Sequence, residues 1–98
     1  MNTLSTTRWR TLNYSDLLRE EWEEEYFLFN PASGNTHVLN QLAVDILDRL
    51  GAEPASGSEL MEKLLADYQP DDQTKFSAHL EHHLLHLDEL GLITQMPS

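Results

Sequence analysis

Ninety-eight residues, 40% of them apolar, supply one hydrophobic core and one domain. The lack of cysteine removes disulfides, thiol nucleophiles and thiolate zinc sites, and it agrees with a reducing cytoplasm. The net charge of −11, with only six Lys and Arg, argues against nucleic acid as a partner and favours basic ones.

The N-terminal stretch MNTLSTTRWR has no apolar signal core, and no apolar run reaches the length of a membrane span. A cytoplasmic protein that does not enter a membrane is expected. Residues 1–14 read as a flexible or loosely packed segment, with Trp9 and Leu12 placed to pack against the sheet, ahead of a domain over 15–98. The stretch Asp16–Trp22 reads as a first strand with Leu18 and Trp22 as core contacts. Its rival is a helix over Ser15–Glu25, since Leu, Arg and Glu all favour helix. The alternation that begins at Tyr26 favours the strand, in a hairpin turning near Glu23-Glu24. The five carboxylates between Glu20 and Glu25 read as a solvated face.

The organising stretch is Phe29–Leu50, FNPASGNTHVLNQLAVDILDRL. Phe27 and Phe29 alternate with Leu28 and Asn30 as in a pleated strand, and Pro31 ends the ladder because it lacks an N–H. Ser33-Gly34-Asn35 supplies turn residues, and Thr36–Leu39 returns antiparallel. Asn40 then caps a helix whose apolar stripe is Leu42, Ala43, Ile46, Leu47 and Leu50, with Leu39 and Val44 placed as a hydrophobic staple. Gly51 reads as the residue after the helix, and Pro54 prevents continuation. Ser56 and Glu59 have capping-box spacing before a second helix carrying Leu60, Met61, Leu64, Leu65 and Tyr68. Asp71-Asp72 caps a third helix over about Gln73–Leu90, which Gly91 stops, and Leu92-Ile93 folds back onto the core.

The third helix carries His79, His82, His83 and His86. At about 100° per residue all four share one face, beside a core stripe of Phe76, Leu80, Leu84 and Leu87. The pairs 79/83 and 82/86 have zinc-ligand spacing, but HExxH is absent and no second ligand cluster stands elsewhere, so no metal or other cofactor is expected. The face reads either as one wall of a peptide groove or as a half-exposed surface without function. No phosphate-binding glycine pattern, GxSxG or nucleophile–base constellation is present, which argues against an enzyme. The third helix is also wrong for reading DNA, with one Lys against Glu81, Asp88 and Glu89.

Taken together, the strand ending in Trp22, the Tyr26–Asn30 strand, THVLN at 36–40, NQLAVDIL and the terminal DELGLI resemble the PqqD family of peptide chaperones, the RiPP recognition elements. The wording FNPASGNTH further resembles the subgroup found beside HPr-kinase-related proteins. The resemblance runs over roughly Leu17–Ile93 and departs from the family in a longer loop at Gly51–Ala55. It implies an α+β, winged-helix-like domain with a three-stranded antiparallel sheet followed by three helices. It also implies a non-catalytic role in which a precursor's leader segment adds as a strand beside the third strand, in a cleft shared with the third helix. The expected peptide-binding residues are thus Thr36, His37, Val38 and Leu39 at the edge, with His79, His82, His83 and His86 opposite. The expected partners are a precursor peptide and its modifying enzyme, for which the subgroup resemblance suggests an HPr-kinase-related protein. Two rivals remain: a His-rich metal-binding regulatory domain, and a homodimer that pairs the same edge strand.

Overall fold

A computed structural model describes residues 7–96. In chain order it contains β1 (Arg8–Thr11), a 3-10 turn (Tyr14–Asp16), β2 (Leu18–Trp22), β3 (Glu25–Asn30), β4 (Asn35–Leu39) and α1 (Gln41–Ala52). There follow β5 (Ala55–Ser56), α2 (Gly57–Tyr68), α3 (Gln73–Glu89) and β6 (Ile93–Gln95). The domain is α+β, with the antiparallel meander β2-β3-β4 followed by three helices in a winged-helix-like arrangement. A second three-stranded sheet, β5-β1-β6, accompanies it.

Local chemistry explains most boundaries. The turn after β3 uses Gly34 at φ 77°, with Gly34 N–H donating to the Asn30 carbonyl at 2.8 Å. The Asn40 carboxamide oxygen accepts from Ala43 N–H at 2.9 Å, and Ser56 with Glu59 closes a reciprocal capping box on α2. Asp72 caps α3 by accepting from Lys75 N–H. At the far end Leu92 N–H reaches the Leu87 carbonyl and Gly91 N–H the Asp88 carbonyl, a Schellman motif around Gly91 at φ 78°.

The core sits between the helices and the inner faces of both sheets. Val44, Ile46, Leu47, Leu60, Leu64, Leu80, Leu84, Leu87, Leu92 and Ile93 are all buried. Each contributes about 2 kcal/mol through removal of apolar surface from water. Leu42, expected in the α1 stripe, is only half-buried, and Val44 takes its place inside.

Three expectations change. Within residues 1–14, positions 8–11 form a strand rather than a loose segment: β1 lies centrally between β5 and β6, and Trp9 is 3% exposed. These pairings join residues more than forty positions apart, so no local pattern announces them. Residues 1–6 lie outside the described set. The strand at β2 is as expected, but Leu18 and Trp22 are not core contacts; they are 62% and 70% exposed. The inner side of β2 instead presents Arg19, which pairs with both carboxylate oxygens of Asp48 on α1. Tyr14 O–H donates to the same carboxylate at 2.6 Å. Burial raises the Asp48 pKa, but the hydrogen bonds from Arg19 and Tyr14 outweigh it and hold the carboxyl below its ordinary value.

Gly51 is the third change. It lies inside α1, and the helix runs on to Ala52 before an extended Glu53. Its role is close approach: a Cβ at Gly51 would sit 2.6 Å from the Tyr14 ring. The Gly51→Ala variant should therefore lose about 1–2 kcal/mol in urea denaturation, overpacking outweighing the gain in helix propensity. An unchanged midpoint would mean that Tyr14 moves aside without cost. The β2–β3 hairpin offers a change of opposite sign. Glu23 and Glu24 hold φ 52° and 68° in a two-residue loop, a type I′ turn that suits Asn-Gly. Replacing them together by Asn and Gly should stabilise the fold by about 1 kcal/mol and raise Tm by about 5 °C in calorimetry; a lower Tm would contradict the turn assignment.

Candidate functional site

One strand edge and one helix face meet at a single residue. β4 pairs with β3 in the register Tyr26–Leu39, Phe27–Val38, Leu28–His37 and Phe29–Thr36, and among the described residues no strand pairs its other side. An antiparallel edge left open presents alternate N–H and C=O groups outward. Thr36 and Val38 are exposed on one face of the sheet. His37 and Leu39 point to the other, where Leu39 is buried and His37 half-buried beside Leu28. His37 Nε2 is buried without a hydrogen-bond partner among the described residues.

β4 runs into α1 through Asn40 alone, and Asn40 reaches α3. Its amide nitrogen lies 3.1 Å from His83 Nε2, while His83 Nδ1 lies 2.8 Å from the His79 carbonyl. Nε2 also lies 3.2 Å from the Asn40 carboxamide oxygen, which already accepts from Ala43 N–H; with His83 Nδ1–H donating to the His79 carbonyl, the neutral ring has Nε2 accepting from the Asn40 N–H. Burial lowers the His83 pKa, and the neighbouring His82, His79 and His86 lower it further against the opposing hydrogen bond to the His79 carbonyl.

The four histidines divide. His83, nearest the core stripe on the helical wheel, is half-buried and joined to the end of β4. His79 is exposed and adjoins it through its carbonyl. His82 and His86 stack with ring centroids 6.3 Å apart. With Leu85, Asp88 and Glu89 they line a separate open depression of about 340 Å³. Among the described residues no group of three or more His, Asp or Glu is placed to hold a metal ion, so the zinc spacing on α3 finds no third ligand. Sequence reasoning placed Asn40 only as a cap and missed its bond to His83, because a helix-capping signal carries no information about a residue forty-three positions away.

The sequence model of the family described as Coenzyme PQQ synthesis protein D (PqqD) matches residues 25–93, from the first residue of β3 to the first of β6. No curated protein and no solved structure matches. The family match spans well over half of the chain and takes in the open edge, the Asn40 junction and the histidine helix. The chain belongs to the PqqD family, whose members are non-catalytic peptide-binding chaperones that work with the enzymes modifying ribosomally made peptides.

Proposed function

We propose that this chain binds the leader of a ribosomally made precursor peptide by strand addition along Thr36–Leu39 and presents it to a modifying enzyme. The observation that carries the reading is the open edge of β4, tied at its end through Asn40 to His83 of α3. Backbone groups of Thr36, His37, Val38 and Leu39 supply affinity without regard to sequence; side chains along the groove supply selection. His83 meets the end of the edge through Asn40, and His79, His82 and His86 would continue the opposite wall along α3. FNPASGNTH points to an HPr-kinase-related client, and the cytoplasm is the compartment in which such a chain and its precursor meet. Among the described residues no helix is long and apolar enough to cross a membrane.

Adjacent residues on an edge strand direct their N–H groups to opposite sides. Of His37→Pro and Val38→Pro, one therefore removes a donor from the ladder with β3 and the other removes one from the open edge. The variant that retains the fold by circular dichroism should lose leader binding by at least about tenfold in calorimetry. Full affinity in a folded variant would sink strand addition.

Acid should loosen the junction. The folded His83 pKa lies below the ordinary 6.5, so between those two values the unfolded chain binds the extra proton. The His83 contribution is intact above 6.5 and is lost as pH falls from there towards the folded pKa. Denaturation midpoints should drop between pH 7.5 and about 5.5, and the drop should shrink in His83→Gln. An equal drop in that variant would place the acid sensitivity elsewhere.

A further inference from the structure

The hairpin of β2 and β3 carries an outer face that adjoins the proposed leader edge at Thr36 and Val38 and extends beyond it to Trp22. The register puts Leu18, Glu20 and Trp22 of β2 on the same side as Phe29, Phe27 and Glu25 of β3, with Val38 of β4 beside them. This side faces away from the buried Leu28 and Leu39. Trp22, Leu18 and Val38 are 70%, 62% and 56% exposed. Between Leu18, Arg19, Glu20, Phe27, Phe29 and Thr36 the face sinks into an open depression of about 340 Å³, with the Arg19 guanidinium engaged by Asp48. Contiguous apolar surface on a chain this highly charged marks an interaction site.

Two observations bear on what covers it. Glu20 and Glu25 lie within the face and Glu23 and Glu24 at its tip, and among the described residues none of the four has an ion-pair partner. The ion pairs present engage Arg8, Arg19, Arg49 and Lys63 with other carboxylates. The tip itself is held at positive φ by two glutamates, where Asn-Gly would relieve both the backbone and the like charge. Stability is sacrificed at the end of an exposed apolar face, as expected where a surface serves binding.

We propose that this face docks the peptide-modifying enzyme, through Arg or Lys side chains set among aliphatic or aromatic ones, with Trp22 as the anchor. A guanidinium over the Trp22 indole gains cation–π attraction, the glutamates match its charge, and apolar neighbours fill the depression beside Leu18. A second copy of this chain is the poorer occupant. Stacking two such faces would oppose both sets of glutamates on two chains of net charge −11. The identity of the partner rests on the leader-binding reading. The face takes in the side chains of Thr36 and Val38, whereas the leader takes the backbone groups of the open edge in the plane of the sheet, so the two sites adjoin and peptide and enzyme bind together.

The test takes the full chain with synthetic precursor-like leader peptides and with purified candidate peptide-modifying enzymes. The variants are Leu18→Ser/Trp22→Ser, changed where the side chains are exposed, and Glu23→Asn/Glu24→Gly. Calorimetry should show enzyme affinity falling at least about tenfold in the first. In the second it should fall severalfold, a loss that disappears in about 0.5 M salt. Leader affinity should stay the same in both. Unchanged enzyme affinity in Leu18→Ser/Trp22→Ser, or no enzyme binding by the wild type, would overturn the docking face while leaving leader binding in place. Enzyme binding that needs Trp22, in a chain that binds no leader, would support the face and overturn the leader reading. A concentration-dependent dimer that the double substitution abolishes would assign the face to a second copy instead.

Discussion

Asn40 is the residue on which the arrangement depends. One carboxamide does three things: it follows β4 directly, it caps α1 through Ala43 N–H, and it meets His83 of α3. A cap alone contributes about 1 kcal/mol, and its larger consequence is geometric. With no linker between β4 and α1, the direction of the strand is set by the direction of the helix, and the His83 contact then fixes α3 against the same point. The Asn40 junction thus ties the end of β4 to both α1 and α3.

The sheet is held from the other side by carboxylates on α1. Asp48 collects Arg19 from β2 and Tyr14 from the 3-10 turn. One turn earlier, Asp45 accepts from Tyr68 of α2 and from Gln41, whose own oxygen accepts from Tyr26 of β3. Burial, followed by the hydrogen bond to Asp45, raises the Tyr68 pKa, so it remains a donor throughout the neutral range. The two tyrosine–carboxylate pairs are half-buried, the others are exposed, and each is individually modest. Their effect is to orient the meander on α1, which leaves β4 open on one edge and the β2–β3 face turned to solvent.

The parts of this structure that were legible in the sequence are those written by neighbours in the chain. Asn40, Ser56 with Glu59, Asp72 and Gly91 each announce a helix end within four residues, and the structure places ends there. β1, β5 and β6 escaped because strands of two to four residues that pair across the length of the chain leave no period to detect. Alternation showed that Leu18 and Trp22 share a side but could not say which side is inward. The register and Arg19 decide that, and they turn both apolar residues out. Gly51 misled for a related reason, since a glycine near a helix end suits either a cap or a close neighbour, and the neighbour, Tyr14, comes from another element. On α3 the helical wheel separated the core stripe from the histidine face, but not His83 at the junction from His82 and His86 around the helix.

The chain belongs to a family of peptide-binding chaperones and leaves one edge of β4 open among the described residues, where we propose that its peptide lies. The most direct measurement is a titration of the isotope-labelled chain with synthetic precursor-like leader peptides, followed by amide chemical shifts. Strand addition predicts changes concentrated on the backbone of Thr36–Leu39 and along His79–His83. Shifts confined to the far side of the molecule, with β4 unmoved at saturating peptide, would contradict it.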